Sequence, residues 1–341
     1  MDNQQPLLSV RNLKTYFNLD EGEVKAVDGV SFDVYPGQVV GIVGESGCGK
    51  SVTIKSVLNI IEKPGKIVAG EILFHRRDSE AGEMIDLTKL EPNGSRMRHI
   101  RGGDIALIPQ EPMAAFSPVH TIGNQIIEVI LLHQTSHKKE AHKIAIDRLR
   151  EVGVPNPEQR IDAYSWELSG GLRQRAMIAM ALSCNPKLLI ADEPTTAIDV
   201  TTQAQVLRLL RQLQEQHDTA IIFITHDLGV IAQIADYVVV MYLGRLMESG
   251  PVDEIFHNPQ HPYTKALLKS IPTVHSPALT RLPTIEGAIP HPFNRPAGCP
   301  FYPRCAEVMV GRCNVYTPAV QPVSAVQSAA CFLYSDAVEQ E

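Results

Sequence analysis

Gly44-Glu45-Ser46-Gly47-Cys48-Gly49-Lys50-Ser51 places three glycines, a lysine and a hydroxyl in the pattern G-x-x-x-x-G-K-[ST]. Glycines let a backbone wrap closely enough for its N–H groups to face phosphate oxygens. Lys50 would reach the β- and γ-phosphates, and the Ser51 hydroxyl would ligate magnesium. A glycine turn with a chance lysine is the plain alternative, and the flanking elements argue against it. Val39 to Val43 is an apolar run of buried-strand length, and Ile54, Val57, Leu58 and Ile61 follow at helical spacing. The helix N-terminus adds a field favourable to anions. Cys48 invites a redox reading, but the loop asks only for a small side chain there.

A second acidic feature follows much later. Leu188-Leu189-Ile190-Ala191-Asp192-Glu193 is an apolar strand ending in two acids. Asp192 suits a magnesium shell, because a hard cation prefers oxygen ligands. Glu193 is expected to polarise an attacking water. Between the two features, Leu168-Ser169-Gly170-Gly171 leads into Leu172-Arg173-Gln174-Arg175 at the start of a helix. Alone this reads as a serine-capped helix; beside a phosphate loop it reads as a second phosphate-binding surface.

These elements together resemble the ABC ATPases, whose signature is LSGG followed by a Q-R pair. Gln110, in Ile108-Pro109-Gln110-Glu111-Pro112, looks like that family's Q-loop glutamine. Thr196-Ala197-Ile198-Asp199 looks like the D-loop, with Ile in place of the more usual Leu. His226, in Thr225-His226-Asp227, looks like the switch histidine, and Phe17 or its neighbour Tyr16 like the aromatic that stacks on adenine. The resemblance implies that Gly44, Glu45, Ser46, Gly47, Cys48, Gly49, Lys50, Ser51 and Val52 contact ATP, and that Ser51, Gln110 and Asp192 serve magnesium. Glu193, His226 and Gln110 would be the catalytic set. It also implies that two such chains pack head to tail, with Ser169, Gly170 and Gly171 serving the partner's nucleotide. One phosphate loop and one signature occur here, so a second ATPase subunit, related or identical, is expected.

His257-Asn258-Pro259-Gln260-His261-Pro262-Tyr263-Thr264, followed by Leu267-Leu268 and Ile271-Pro272, is similar to the C-terminal motif of oligopeptide and dipeptide importer ATPases. That resemblance runs from Leu8 to Cys331. Pro112-Met113-Ala114-Ala115-Phe116-Ser117-Pro118 resembles the family's D-P-M-x-S-L-N-P, with departures at Glu111, Ala115, Phe116 and Ser117. The implied setting is the cytoplasmic face of a prokaryotic inner membrane, with two permease subunits and an extracytoplasmic solute-binding protein. The solute would be a peptide, with oligosaccharides and nickel as alternatives. A soluble ABC ATPase acting on ribosomes or DNA would bring two nucleotide domains or long coiled coils, and neither is present. A non-catalytic binding module conflicts with Lys50, Glu193 and His226.

Cys299, Cys305, Cys313 and Cys331 follow a C-x5-C-x7-C-x17-C spacing that lacks the C-x2-C pairs of common zinc ribbons. Four thiolates suit either zinc or an iron–sulfur cluster. Importer ATPases carry a comparable set, and the resemblance implies a four-iron four-sulfur cluster, with zinc or unligated thiols as the alternatives.

The elements needed to hold these residues alternate strand, loop and helix on both sides of a helical stretch. This predicts an α/β fold with an inserted helical subdomain at about 111–183. The resemblance makes it a P-loop NTPase (RecA-like) core with an N-terminal antiparallel β segment. The nucleotide-binding domain is expected over 7–256, and a small cysteine-containing accessory domain over 257–341, where Pro, His and Cys become frequent. The 341 residues, 44% hydrophobic, can bury a sizeable core. A net charge of −7 argues against a nucleic-acid partner. The N-terminus does not read as a signal peptide, and no apolar run reaches the length of a membrane span.

Overall fold

A computed structural model describes residues 5–76, 83–111, 115–196, 198–271 and 285–339. In chain order its strands are β1 (Leu8–Leu19), β2 (Gly22–Val34), β3 (Val39–Val43), β4 (Gly65–Arg76), β5 (Glu83–Asp86), β6 (Ile105–Ile108), β7 (Leu188–Asp192), β8 (Ala220–Ile224), β9 (Tyr237–Tyr242), β10 (Arg245–Pro251), β11 (Gln321–Pro322) and β12 (Ser328–Ala329). The α-helices are α1 (Lys50–Val57), α2 (Ser95–His99), α3 (Ile122–His133), α4 (Lys138–Glu151), α5 (Pro157–Arg160), α6 (Gly170–Leu182), α7 (Val200–His217), α8 (Leu228–Ile234), α9 (Val252–His257) and α10 (Pro262–Lys269). The chain divides into two compact units. The first comprises Met1–Leu7, Val34–Val39 and Lys89–Ile224, and the second Leu8–Asp33, Val40–Thr88 and Thr225–Glu341.

In the first unit β6, β7 and β8 are parallel, with Ile105 opposite Leu188 and Leu188 opposite Ala220. All residues of β7 and β8 are buried. That explains why their sequences are continuous apolar runs rather than alternating ones. Helix α7 leads from β7 to β8. It buries Val206, Leu207, Leu210 and Leu213 on one face, and Asp199 caps its N-terminus by accepting from Thr202 N at 2.9 Å. Burying each such leucine contributes roughly 1.5–3 kcal/mol. From residue 115 to 183 the described residues contain α3 to α6 and no strand.

In the second unit the N-terminal strands form a sheet in the order β2-β1-β4-β5. β1 runs antiparallel to β4, with Leu8 opposite Phe74 and Phe17 opposite Gly65. A further run, β11-β12-β10-β9-β3, pairs β3 with β9 in parallel and β9 with β10 antiparallel. The tail segments β11 and β12 extend this run from the edge of β10: Glu248 lies opposite Ala329, and Ala330 N donates to Met247 O at 2.8 Å. Helix α1 is shorter than its apolar spacing predicts. It ends at Val57, because Asn59 takes a left-handed conformation at φ 51° and Ile60 N reaches back to Lys55 O.

His261 caps α10, its Nδ1 accepting the Tyr263 N–H at 3.0 Å. The residue is 1% exposed, and burial lowers its pKa from 6.5 to about 4. The unfolded chain therefore takes up this proton first, and stability present above pH 6.5 is lost as pH falls toward 4. The loss is expected to reach about 2 kcal/mol at pH 5. Thermal unfolding at pH 7 and pH 5 checks it: His261→Asn should lose less stability over that interval than the unsubstituted chain.

Candidate functional site

The phosphate loop belongs to the second unit and joins β3 to α1. Gly44, Gly47 and Gly49 have φ of 151°, 77° and 101°, conformations that favour glycine. Space imposes the same choice twice. A Cβ on Gly44 would lie 2.1 Å from Met241 O, and one on Gly49 2.2 Å from Ala26 O. Lys50 is 6% exposed, and its Nζ donates to Gly44 O at 2.8 Å and Glu45 O at 3.2 Å, so the ammonium sits within the curl of the loop. Ser51 and Val52, in the first turn of α1, are half-buried, while Ser46 and Gly47 are exposed at the loop's crest. Cys48 is buried, and burial pushes its thiol pKa up, which makes it a packing residue rather than a reactive one.

Glu45 is held at two points. Its N–H donates to the Tyr263 hydroxyl at 3.0 Å. Its carboxylate takes a two-pronged ion pair from Arg304, Nη1 to Oε2 at 2.7 Å and Nη2 to Oε1 at 3.1 Å. Neither Arg304 nor Tyr263 was singled out by sequence reasoning. Tyr263 lies inside the C-terminal motif and Arg304 beside Cys305, but nothing local ties either to a loop more than 200 positions earlier.

The two aromatics on β1 separate clearly. The Tyr16 hydroxyl donates to Asp28 Oδ1 at 2.7 Å, and the Lys25 ammonium lies 5.4 Å from its ring centre. Phe17 falls on the same strand face as Thr15, whose hydroxyl meets that of Ser56 on α1 at 2.8 Å. His226, exposed, follows buried Thr225. Asp227 then caps α8, accepting from Gly229 N at 2.8 Å.

The first unit carries the acidic residues. Asp192, 9% exposed, is the last residue of β7. Glu193 follows at φ 46°, a left-handed conformation costly for a glutamate, with its N–H bonded to Ile224 O at 2.9 Å. One carboxylate oxygen, Oε2, accepts from Gln110 Nε2 at 3.1 Å and Thr196 Oγ1 at 2.9 Å. The sequence thus places Gln110 and Glu193, 83 positions apart, in direct contact. In the signature, Ser169 caps α6 by accepting from Leu172 N at 3.4 Å, as its plain reading requires. Ser169 and Gly170 are exposed and Gly171 half-buried. Of the D-loop segment, Ala197 lies outside the described residues, as do Pro112, Met113 and Ala114 of the following motif and Pro272.

The expectation of an iron–sulfur or zinc site is corrected. Among the described residues, no group of three or more His, Cys, Asp or Glu side chains is arranged to hold a metal ion. Cys299, Cys305, Cys313 and Cys331 are free thiols lining one pocket with Phe301, Met309 and Phe332. Burial pushes Cys299 up to about 12 and Cys331 to about 11, and raises Cys305 as well. Cys299 N instead bonds Cys313 O at 2.8 Å, and Cys313 Sγ accepts from Met309 N at 3.4 Å, so the segment is fastened by backbone bonds and packing.

Two family models match parts of the chain: ABC transporter over residues 27–196, and the C-terminal region of oligopeptide/dipeptide transporters over residues 247–313. The chain is 46% identical over 331 residues to the oligopeptide transport ATP-binding protein AppD of Bacillus subtilis, covering 97% of each. It is 45% identical over 333 residues to the probable peptide ABC transporter ATP-binding protein y4tR of Sinorhizobium fredii, covering 97% of this chain and 96% of that one. To the dipeptide transport ATP-binding protein DppD of Escherichia coli it is 41% identical over 325 residues, 95% and 96% of the two chains. Among solved structures it is similar to the dimeric bacterial ABC transporter cassette MJ0796, with a TM-score of 0.61 and 23% identity over 72% of this chain and 98% of that one. That likeness is one of fold. The cbiO1 subunit from Clostridium perfringens gives a TM-score of 0.59 at 25% identity, over 75% and 92% of the two chains.

Proposed function

The chain belongs to the ABC transporter ATP-binding proteins of the oligopeptide and dipeptide branch, and from that premise we propose that it powers uptake of peptides through a pair of permease subunits. It is an ATP hydrolase. The observation that carries the residue-level reading is Glu193, held in a strained conformation at φ 46° with Gln110 and Thr196 on one carboxylate oxygen. Strain of that kind persists only where the surroundings enforce it, and it fits a carboxylate kept in position for a proton-handling role.

In this reading Lys50 and the N–H groups of Gly44 to Val52 hold the phosphates, and Phe17 stacks on adenine. Tyr16 is assigned a packing role, since Asp28 and Lys25 already engage it. Ser51, Asp192 and Gln110 offer hydroxyl, carboxylate and carboxamide oxygens, the donor types magnesium prefers, so the residues present fit that ion. When bound, magnesium supplies charge neutralisation on the phosphate oxygens. Glu193 orients and polarises the attacking water, and His226 serves as the switch histidine. The signature residues Ser169, Gly170 and Gly171 act on the nucleotide of a second ATPase subunit, and their exposure at the start of α6 supports a role outside this chain. Residues 7–256 form the nucleotide-binding domain with its helical subdomain at about 111–183, and 257–341 the importer-type C-terminal region.

Among the described residues no helix is long and apolar enough to cross a membrane. Membrane attachment is therefore assigned to the permeases, on the cytoplasmic face of the inner membrane, with an extracytoplasmic binding protein delivering the peptide. Ser169→Arg tests the head-to-tail part of the scheme. It adds bulk and charge at an exposed cap. ATP binding by the isolated chain should stay within about twofold of normal, while ATP-dependent dimerisation, read by light scattering, should be lost. Loss of ATP binding by the isolated chain would instead place Ser169 in this chain's own nucleotide site.

A further inference from the structure

Glu45 is the only acid in the Gly44–Ser51 sequence and carries a charge of the same sign as a triphosphate. Arg304 engages both its carboxylate oxygens, at 2.7 and 3.1 Å, a fork-to-fork pair of the strongest geometry. The Arg304 side chain is 4% exposed, and its Nε donates to Glu286 O at 3.2 Å while Nη1 also reaches the Tyr242 hydroxyl at 3.2 Å. The backbone of Glu45 is fixed independently, through its N–H to the Tyr263 hydroxyl at 3.0 Å. Tyr263 is fully buried, its ring centre 4.7 Å from that of Tyr242 and 5.1 Å from that of Phe301. Phe301 and Arg304 both lie between Cys299 and Cys305. One short C-terminal segment therefore supplies the ion pair to the loop and part of the aromatic packing behind Tyr263.

We propose that Arg304 and Tyr263 are positioning residues of the phosphate loop: Arg304 neutralises the Glu45 carboxylate and Tyr263 fixes the Glu45 amide, so that ATP affinity depends on the C-terminal segment being docked. The inference rests on reading residues 44–51 as the phosphate loop. Linkage requires the reverse as well, so bound ATP stabilises the docked state of residues 299–305. A purely structural tether would make different predictions. If Arg304 acts by cancelling a charge, its loss leaves an unpaired carboxylate beside the phosphates, and removing that carboxylate too relieves the defect. If Arg304 merely ties the segment down, losing both partners is no better than losing one.

The test is equilibrium binding of trinitrophenyl-ATP with magnesium to the full chain and its variants, with thermal unfolding to confirm folding. Arg304→Gln should weaken binding about tenfold or more, because one partner of a charge pair is left alone. Arg304→Lys should fall between, keeping the charge and losing the fork. Glu45→Gln/Arg304→Gln should recover to within about threefold of the unsubstituted chain. Tyr263→Phe, which removes one oxygen, should weaken binding several-fold and carries the test if Arg304→Gln does not fold. Lys50→Ala separates the two levels of the argument. If it loses binding while Arg304→Gln and Tyr263→Phe stay within about twofold of normal, the proposal is overturned and the loop reading stands. If Lys50→Ala binds normally, the loop reading itself falls. A double variant no better than Arg304→Gln alone also overturns the charge-cancelling role.

Discussion

Glu193→Gln is expected to lower ATP turnover by about 10²- to 10⁴-fold, the range for removal of a positioned proton-handling group, while leaving ATP affinity nearly unchanged. The amide preserves shape and can still meet Gln110 and Thr196, which now contact the carboxylate at 3.1 and 2.9 Å. What it loses is the negative charge that draws a proton from water. Binding without turnover should make ATP-bound dimers accumulate, visible by size-exclusion chromatography. The measurement needs both ATPase positions filled by the variant, because an intact partner site could sustain part of the rate. Normal turnover under those conditions would remove Glu193 from the mechanism.

Lys50→Ala should weaken ATP binding by roughly 10- to 100-fold, since a hydrogen bond to a charged group contributes about 1.5–3 kcal/mol. The Lys50 ammonium is 6% exposed and bonds two loop carbonyls, Gly44 O and Glu45 O. Its removal also takes away two loop-closing contacts. The variant should therefore show lower affinity for ADP as well as ATP, with the larger loss for ATP, whose γ-phosphate loses its counter-charge. Titration calorimetry with both nucleotides distinguishes this from general loosening of the loop, which would affect the two alike.

The local strand, loop and helix around Gly44 to Ser51 were legible without the structure. A phosphate loop needs glycines at fixed offsets, a preceding apolar strand and a following helix, all within about 20 positions, and β3, the loop and α1 follow that order. Likewise β7 and β8 announced themselves as apolar runs because both faces are covered. Interactions between distant segments were not legible. The Arg304–Glu45 pair joins positions 259 apart, and an arginine beside a cysteine carries no signal of its partner. The end of α1 was overextended because Leu58 and Ile61 fit helical spacing, whereas Asn59 at φ 51° turns the chain out of the helix. The cysteines were misread for a different reason. Proximity in sequence reports that four thiols share a segment, but ligation also needs side chains arranged around one ion, and among the described residues no such group occurs.

The most direct measurement is uptake of a labelled oligopeptide by cells whose only copy of this subunit is either the unsubstituted chain or Glu193→Gln, at matched levels of assembled transporter. The account predicts uptake with the first and none above background with the second, although the variant chain still binds ATP and assembles with its permeases. Peptide uptake at an equal rate with both chains would contradict it.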